Sequence, residues 1–249
     1  MKIKTPLLTL LVVGLAFGAG TSSALAQSDN GLMNVRVVTV KQDHVNDWIE
    51  LQKQLSESMK KAGAPGRTIY EQVKGDHNTF HVLTVLDGWD DYDSTGENGM
   101  GEADWTNWVN KVTDTIQSRT EFTVQTFDDM KIPAEKESGP HLVALWQHTV
   151  KQANKGDMYN WFEEKMVPAL KKVGAKGRSF GRVIIGGNVN TFYHARRLDS
   201  YADMEGWTFR SLSAEERKDL LSDERQSWIV NSEQIMLKYR EDLSFESED

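Results

Sequence analysis

Residues 60–67 read KKAGAPGR, and residues 171–178 read KKVGAKGR. Outward from this pair the correspondence continues. Asn78-Thr79-Phe80-His81 returns as Asn190-Thr191-Phe192-Tyr193, and Leu86-Asp87 as Leu198-Asp199. Upstream, Val40-Lys41-Gln42 matches Val150-Lys151-Gln152; downstream, Asp128-Asp129-Met130 answers Glu241-Asp242-Leu243. The separation stays between 110 and 113 positions throughout, which is the signature of a duplication. A unit this long is a domain; solenoid repeats are far shorter. Two copies predict two similar sheets, and the space between them is the expected seat of function.

Each copy spells the same order of elements. Residues 33–40 are β-branched and bounded by polar residues, a strand. Residues 44–61 place Trp48, Leu51, Leu55 and Met59 on one helical face, with Gly63 as a stop. Residues 67–73 and 79–86 form a hairpin about Lys74-Gly75-Asp76-His77-Asn78. A second helix carries Trp105, Trp108, Val112 and Ile116, and residues 120–127 alternate as the last strand. In the second copy strands are expected near 142–150, 178–185, 190–198 and 233–240. Its first helix, about 157–173, contains Pro168, which predicts a break or bend. Ser213-Ala214-Glu215-Glu216 is a capping box, and Ser222-Asp223 a second helix start before Trp228.

The order βαββαβ gives a four-stranded antiparallel sheet with both helices on one face. Two such units can cover each other's bare face. The predicted class is α+β, two tandem ferredoxin-like units forming an intrachain pseudo-dimeric α/β barrel. The expected organisation is a signal peptide at 1–26, a first unit at 32–130, a linker at 131–140 (KIPAEKESGP) and a second unit at 141–243. This layout resembles the dimeric α/β-barrel superfamily. The stretch from Phe162 through Pro168 to Ala175 is similar to the first-helix region of its NIPSNAP-like and antibiotic-biosynthesis-monooxygenase-like branches. The resemblance implies a space between two sheets. It also implies a range of activities: cofactor-free oxygenases, haem-degrading and haem-dependent enzymes, small-ring isomerases. Shared fold does not fix the reaction.

Composition narrows the classes. Lys2 and Lys4 precede an apolar run from Leu7 to Ala19 and a small-residue stretch ending Ala24-Leu25-Ala26. That is the pattern of a secretory signal peptide, so a periplasmic or extracellular protein with no membrane segment after cleavage is expected. The net charge of −8 becomes more negative once those two lysines are removed, which disfavours nucleic acid as a partner. The absence of cysteine excludes disulfides, thiolate metal sites and thiol catalysis.

Strand alternation separates two faces in each unit. One set is apolar: Met33, Val35, Val37, Leu83, Val85, Phe122 and Val124. The opposite set holds Asn34, Arg36 and Glu121 in the first unit and Trp146, His148, Phe192, His194, Arg196 and Lys238 in the second. The apolar set is assigned to the helices, with His81 on the same side. The polar set is assigned to a wet pocket between the sheets. A slip of one residue would exchange the faces. The candidate ligand-binding residues are therefore Arg36, Trp146, His148, His194 and Arg196, suited to an aromatic or anionic small molecule. His148 and His194 are candidate general bases. Asp91, Asp93, Thr95 and Glu102 follow the spacing of a calcium loop, with a solvated acidic loop as the plainer reading. No helix histidine sits where haem ligation would need one, so no cofactor is expected. The expected function is binding of a small molecule between the sheets. The alternatives are a cofactor-independent oxygenase and a structural or protein-interaction module with a filled barrel.

Overall fold

The structure, a computed structural model, describes residues 31–64, 66–86, 88–94, 99–134, 142–204 and 209–245. Eight strands carry the fold: β1 (Leu32–Val40), β2 (Arg67–Lys74), β3 (Thr79–Leu86), β4 (Ile116–Thr126), β5 (Leu142–Val150), β6 (Arg178–Ile185), β7 (Thr191–Leu198) and β8 (Ile229–Tyr239). They close into one barrel in the order β1-β3-β2-β8-β5-β7-β6-β4. Every adjacent pair is antiparallel. The first four strands lie as β4-β1-β3-β2 and the last four as β8-β5-β7-β6, the ferredoxin-like order twice over. The β2·β8 and β4·β6 seams join the halves, so the α+β class and the pseudo-dimeric barrel stand as expected. Closure leaves no strand edge unpaired. The β4·β6 seam needs Gly181, where an added Cβ would lie 2.8 Å from the Gln125 carbonyl oxygen.

Helices cover the outer face of each half. In the first, α1 (Val45–Lys61) and α2 (Glu102–Thr115) bury Trp48, Leu51, Leu55, Trp108 and Val112 against Val38, Val40, Ile69, Phe80 and Val82. Trp48 stacks on Phe80 at 4.3 Å, and the Trp108 indole N–H donates to the Leu51 carbonyl at 2.8 Å. In the second, α3 (Lys155–Trp161) runs through a π-turn (Phe162–Met166) into α4 (Val167–Lys172). The break predicted from Pro168 is this π-turn, and Pro168 follows it as the second residue of α4. Two further helices, α5 (Ala214–Leu220) and α6 (Asp223–Trp228), start at the predicted Ser213 capping box and Ser222 cap.

The segment that leaves each half docks into the other. After β4, Phe127, Met130 and Ile132 enter the core of the second half, and Ile132 pairs with Arg178. After β8, Leu243 and Phe245 enter the core of the first half, and Phe245 pairs with Arg67. The opening of the stretch read as a linker is therefore packed. Residues 1–30, with the proposed signal peptide, lie outside the described residues. No described helix is long and apolar enough to cross a membrane.

Candidate functional site

A cavity of about 650 Å³ occupies the barrel. Alternation along the strands builds it, and the faces are the reverse of those assigned from sequence. Met33, Val35, Val37, Leu83, Phe122 and Val124 line the cavity, not the helix layer. Val143, Leu145, Val183, Ile235 and Leu237 complete an apolar belt from the second half. The interior is thus open, which sets aside the side-chain-filled barrel.

Polar groups punctuate the belt. His81 faces inward from β3, contrary to its expected place, beside Tyr70 on the neighbouring strand. Its Nε2 lies 3.2 Å from Gln72 Oε1. Burial lowers the imidazole pKa to about 4, so it is neutral at ordinary pH. Burial pushes the Tyr70 phenol up to about 12. Elsewhere in the wall Tyr193, Gln147 and Glu233 come from β7, β5 and β8. Tyr193 stacks on Phe122 across the halves at 5.9 Å, and burial, then Glu233, raises its pKa. Residues of this kind in a mostly apolar cavity match a small-molecule site.

The five residues expected to line this space do not. Arg36 faces outward and is tied to Glu121, its Nη2 2.9 Å from Oε1. Burial alone would raise Glu121, but hydrogen bonds from Arg36, Asn34 and Arg119 bring it down to about 2. The other four, Trp146, His148, His194 and Arg196, do come together, but between the second sheet and its helices. Trp146 and His194 are cross-strand neighbours stacked at 4.4 Å and 2°. His148 is 5.7 Å from His194, and its Nδ1 meets Ser232 Oγ at 2.9 Å. Arg196 donates from Nη2 to the Asp203 carbonyl at 2.7 Å. The correction has a physical reason. Both sheet faces are buried, so polarity does not mark the inner one, and only the parity of the strand was readable. His81 could have been found from the same parity once the faces were exchanged.

In the acidic loop, Asp91 opens a short helical turn (Asp91–Ser94), and Glu102 is the exposed first residue of α2. Thr95 and the Asp93 side chain lie outside the described residues. Among the described residues no group of three or more His, Cys, Asp or Glu converges on a metal site. None of the described histidines lies within an α-helix.

No family model matches the chain, and no curated protein matches it. Solved structures do. A candidate monooxygenase from Lactobacillus acidophilus superposes with TM-score 0.58 at 12% identity, covering 88% of this chain and 97% of that one. A candidate monooxygenase from Fusobacterium nucleatum gives 0.59 at 12%, covering 84% and 92%. An anthrone oxidase-like protein gives 0.59 at 10%, covering 88% and 94%. At these identities the likeness shows the fold alone, a closed barrel of two ferredoxin-like halves with helices outside.

Proposed function

We propose that this chain is an exported binding protein for a small, largely apolar or aromatic molecule held in the barrel. The observation that supports this is the cavity itself, about 650 Å³ with an apolar belt and a few inward polar groups. That volume falls within the ~300–1,000 Å³ usual for small-molecule sites. Tyr70, His81, Tyr193 and Gln147 supply the orienting hydrogen bonds, and the Phe122–Tyr193 pair supplies a flat wall. Export rests on residues 1–26 and predicts a mature chain that begins at Gln27.

Titration of the neutral dye Nile red tests the site. Saturable one-to-one binding with a blue-shifted emission is expected, and Leu83→Trp, which fills the belt, should abolish it. Emission that is unchanged by the protein, or binding indifferent to Leu83→Trp, would overturn the reading. Native mass spectrometry of protein from its own host would identify a retained ligand.

Catalysis by proton abstraction is the second reading, favoured by a neutral imidazole in the cavity wall. If the His81 Nε2–H donates to Gln72, the Nδ1 lone pair is left to accept a proton. The magnitude weighs against it. A base with a pKa of about 4 releases its proton at neutral pH, whereas an effective general base is poised near 7. Oxygen uptake with quinol-like substrates, lost in His81→Ala, would reverse that order.

A further inference from the structure

Charged side chains in the wall of the barrel cavity are sorted by end. The β2–β3 and β6–β7 hairpins mark one end. Among the described residues the wall charges toward it are both acidic. Asp76 comes from the first hairpin, and Glu233 pairs with Gln147 in the half of β5 nearer that end. At the other end stand Arg197, paired with Val143 near the start of β5, and Lys131, which follows β4. Backbone hydrogen bonds hold these two on one stretch of the rim. The Arg197 N–H donates to the Gly177 carbonyl and the Gly177 N–H to that of Pro133, each at 2.9 Å. The acid that shares their end, Asp128, accepts from the Gly31 N–H on one oxygen and from the Thr126 hydroxyl on the other, both at 3.1 Å. Tyr70 faces them from the first half. Burial pushes its phenol up, and the Arg197 charge acts against that push, so the guanidinium's field reaches across to a hydroxyl that keeps its proton. Between the two ends lies the apolar belt.

We propose that the barrel ligand is an amphipathic carboxylate, an apolar chain or ring bearing one acid group, with the acid at the Arg197 end; this rests on the barrel reading above. Arg197 and Lys131 attract the carboxylate, Tyr70 can donate its O–H to it, and the belt takes the apolar part. Asp76 and Glu233 act by repulsion. A carboxylate at their end would meet like charge, so the reversed pose is penalised, and specificity is built from repulsive elements as well as attractive ones. The duplication does not repeat this charge pattern. The first-half counterparts of Arg197 and Glu233 are Val85 and Thr120, so one chain holds one acid.

Displacement of Nile red from the full chain by decanoate, with decylammonium as the same chain of opposite charge, tests this at neutral pH. Decanoate should displace the dye at a concentration about tenfold lower, the scale of one hydrogen bond to a charged group. Arg197→Gln should weaken decanoate by about tenfold. Combined with Lys131→Gln it should bring the two competitors level, while Nile red itself binds all these proteins alike. Both residues are exposed, so the variants leave the core intact. Equal displacement by the two competitors in the unaltered chain, a preference for decylammonium, or decanoate binding indifferent to both variants would overturn the proposal. If Nile red binds as expected, any of those results removes the acid alone. A dye that does not bind removes the barrel site and the acid with it.

Discussion

Buried polar residues set the molecule's response to acid. His81 and His148 are 8% and 5% exposed, and burial lowers each imidazole to about 4. In the unfolded chain they take up protons near 6.5, so between 6.5 and 4 the unfolded state binds more protons than the folded one. Their contribution is therefore complete above 6.5 and declines as the pH falls to 4. The loss amounts to about 3 kcal/mol for each histidine at about 1.4 kcal/mol per pH unit. Urea midpoints measured at intervals from pH 7 to 4 should show the decline, and His81→Gln should make it shallower by the share of one histidine, His148 keeping its own. An unaltered slope in that variant would mean that His81 is not the group responsible. Arg67 poses the opposite problem, a guanidinium buried at 3% exposure and lowered to about 9 by burial and by Arg36. Its Nη2 donates to Gln52 Oε1 at 2.5 Å and its Nη1 to Ser56 Oγ at 3.0 Å. Breaking a buried polar set by removing one partner is worse than removing the charge. Gln52→Leu should accordingly cost about 3 kcal/mol, and Arg67→Met clearly less, in the same urea experiment. Equal costs would show that the charge is solvated in place.

The helix of the second half illustrates how an element absorbs an added residue. Segments of 7, 5 and 6 residues span α3, the π-turn and α4, one residue more than the 17 of α1. The Val167 N–H reaches back five residues to the Phe162 carbonyl, which widens the turn just before the Pro168 ring. Deleting exposed Glu164 should restore regular i→i−4 bonding and drive the proline ring into the preceding carbonyl, a cost of about 3 kcal/mol. Combining the deletion with Pro168→Ala should recover most of that stability, because the alanine restores the N–H and removes the ring. A deletion harmless on its own would mean that the π-turn does not accommodate the proline. Much of this level was legible beforehand. Hydrophobic periodicity found the strands, and the tryptophans at 48, 108 and 161 proved to be core. The Ser213 and Ser222 starts followed from local chemistry. The inward face was not legible. Val35 and Val38, on opposite faces of one strand, are both buried, one by the barrel and one by helices, so hydrophobicity alone could not rank them. The polar groups that guided the assignment, His148 and His194, belong to the helix layer. The reciprocal docking of Ile132 and Phe245 was also hidden, since each lies in a short, mostly polar stretch and pairs with a residue far along the chain.

At the scale of the whole molecule, closure makes the halves interdependent. Two seams complete the ring, and each half lends its exit segment to the other's core. Leu243 is wholly buried among α1 residues, and its carbonyl accepts from Ser56 Oγ at 2.7 Å. Val38, Trp48 and Leu55 lie in the same cluster, so the first half is incomplete without residues from the end of the chain. The second half likewise needs Phe127, Met130 and Ile132, which follow β4. Neither half alone would satisfy the β2 and β4, or β6 and β8, edges that the seams pair. One cooperative unfolding transition is therefore expected, with tryptophan fluorescence and far-ultraviolet circular dichroism giving the same urea midpoint. Leu243→Ala removes a buried side chain at the join and should lower stability by about 2–5 kcal/mol. It should shift both probes together, although the residue contacts only the first half's core. A variant in which the first half's signal melts early while the second half persists would show that the halves fold on their own and that the barrel merely brings them together.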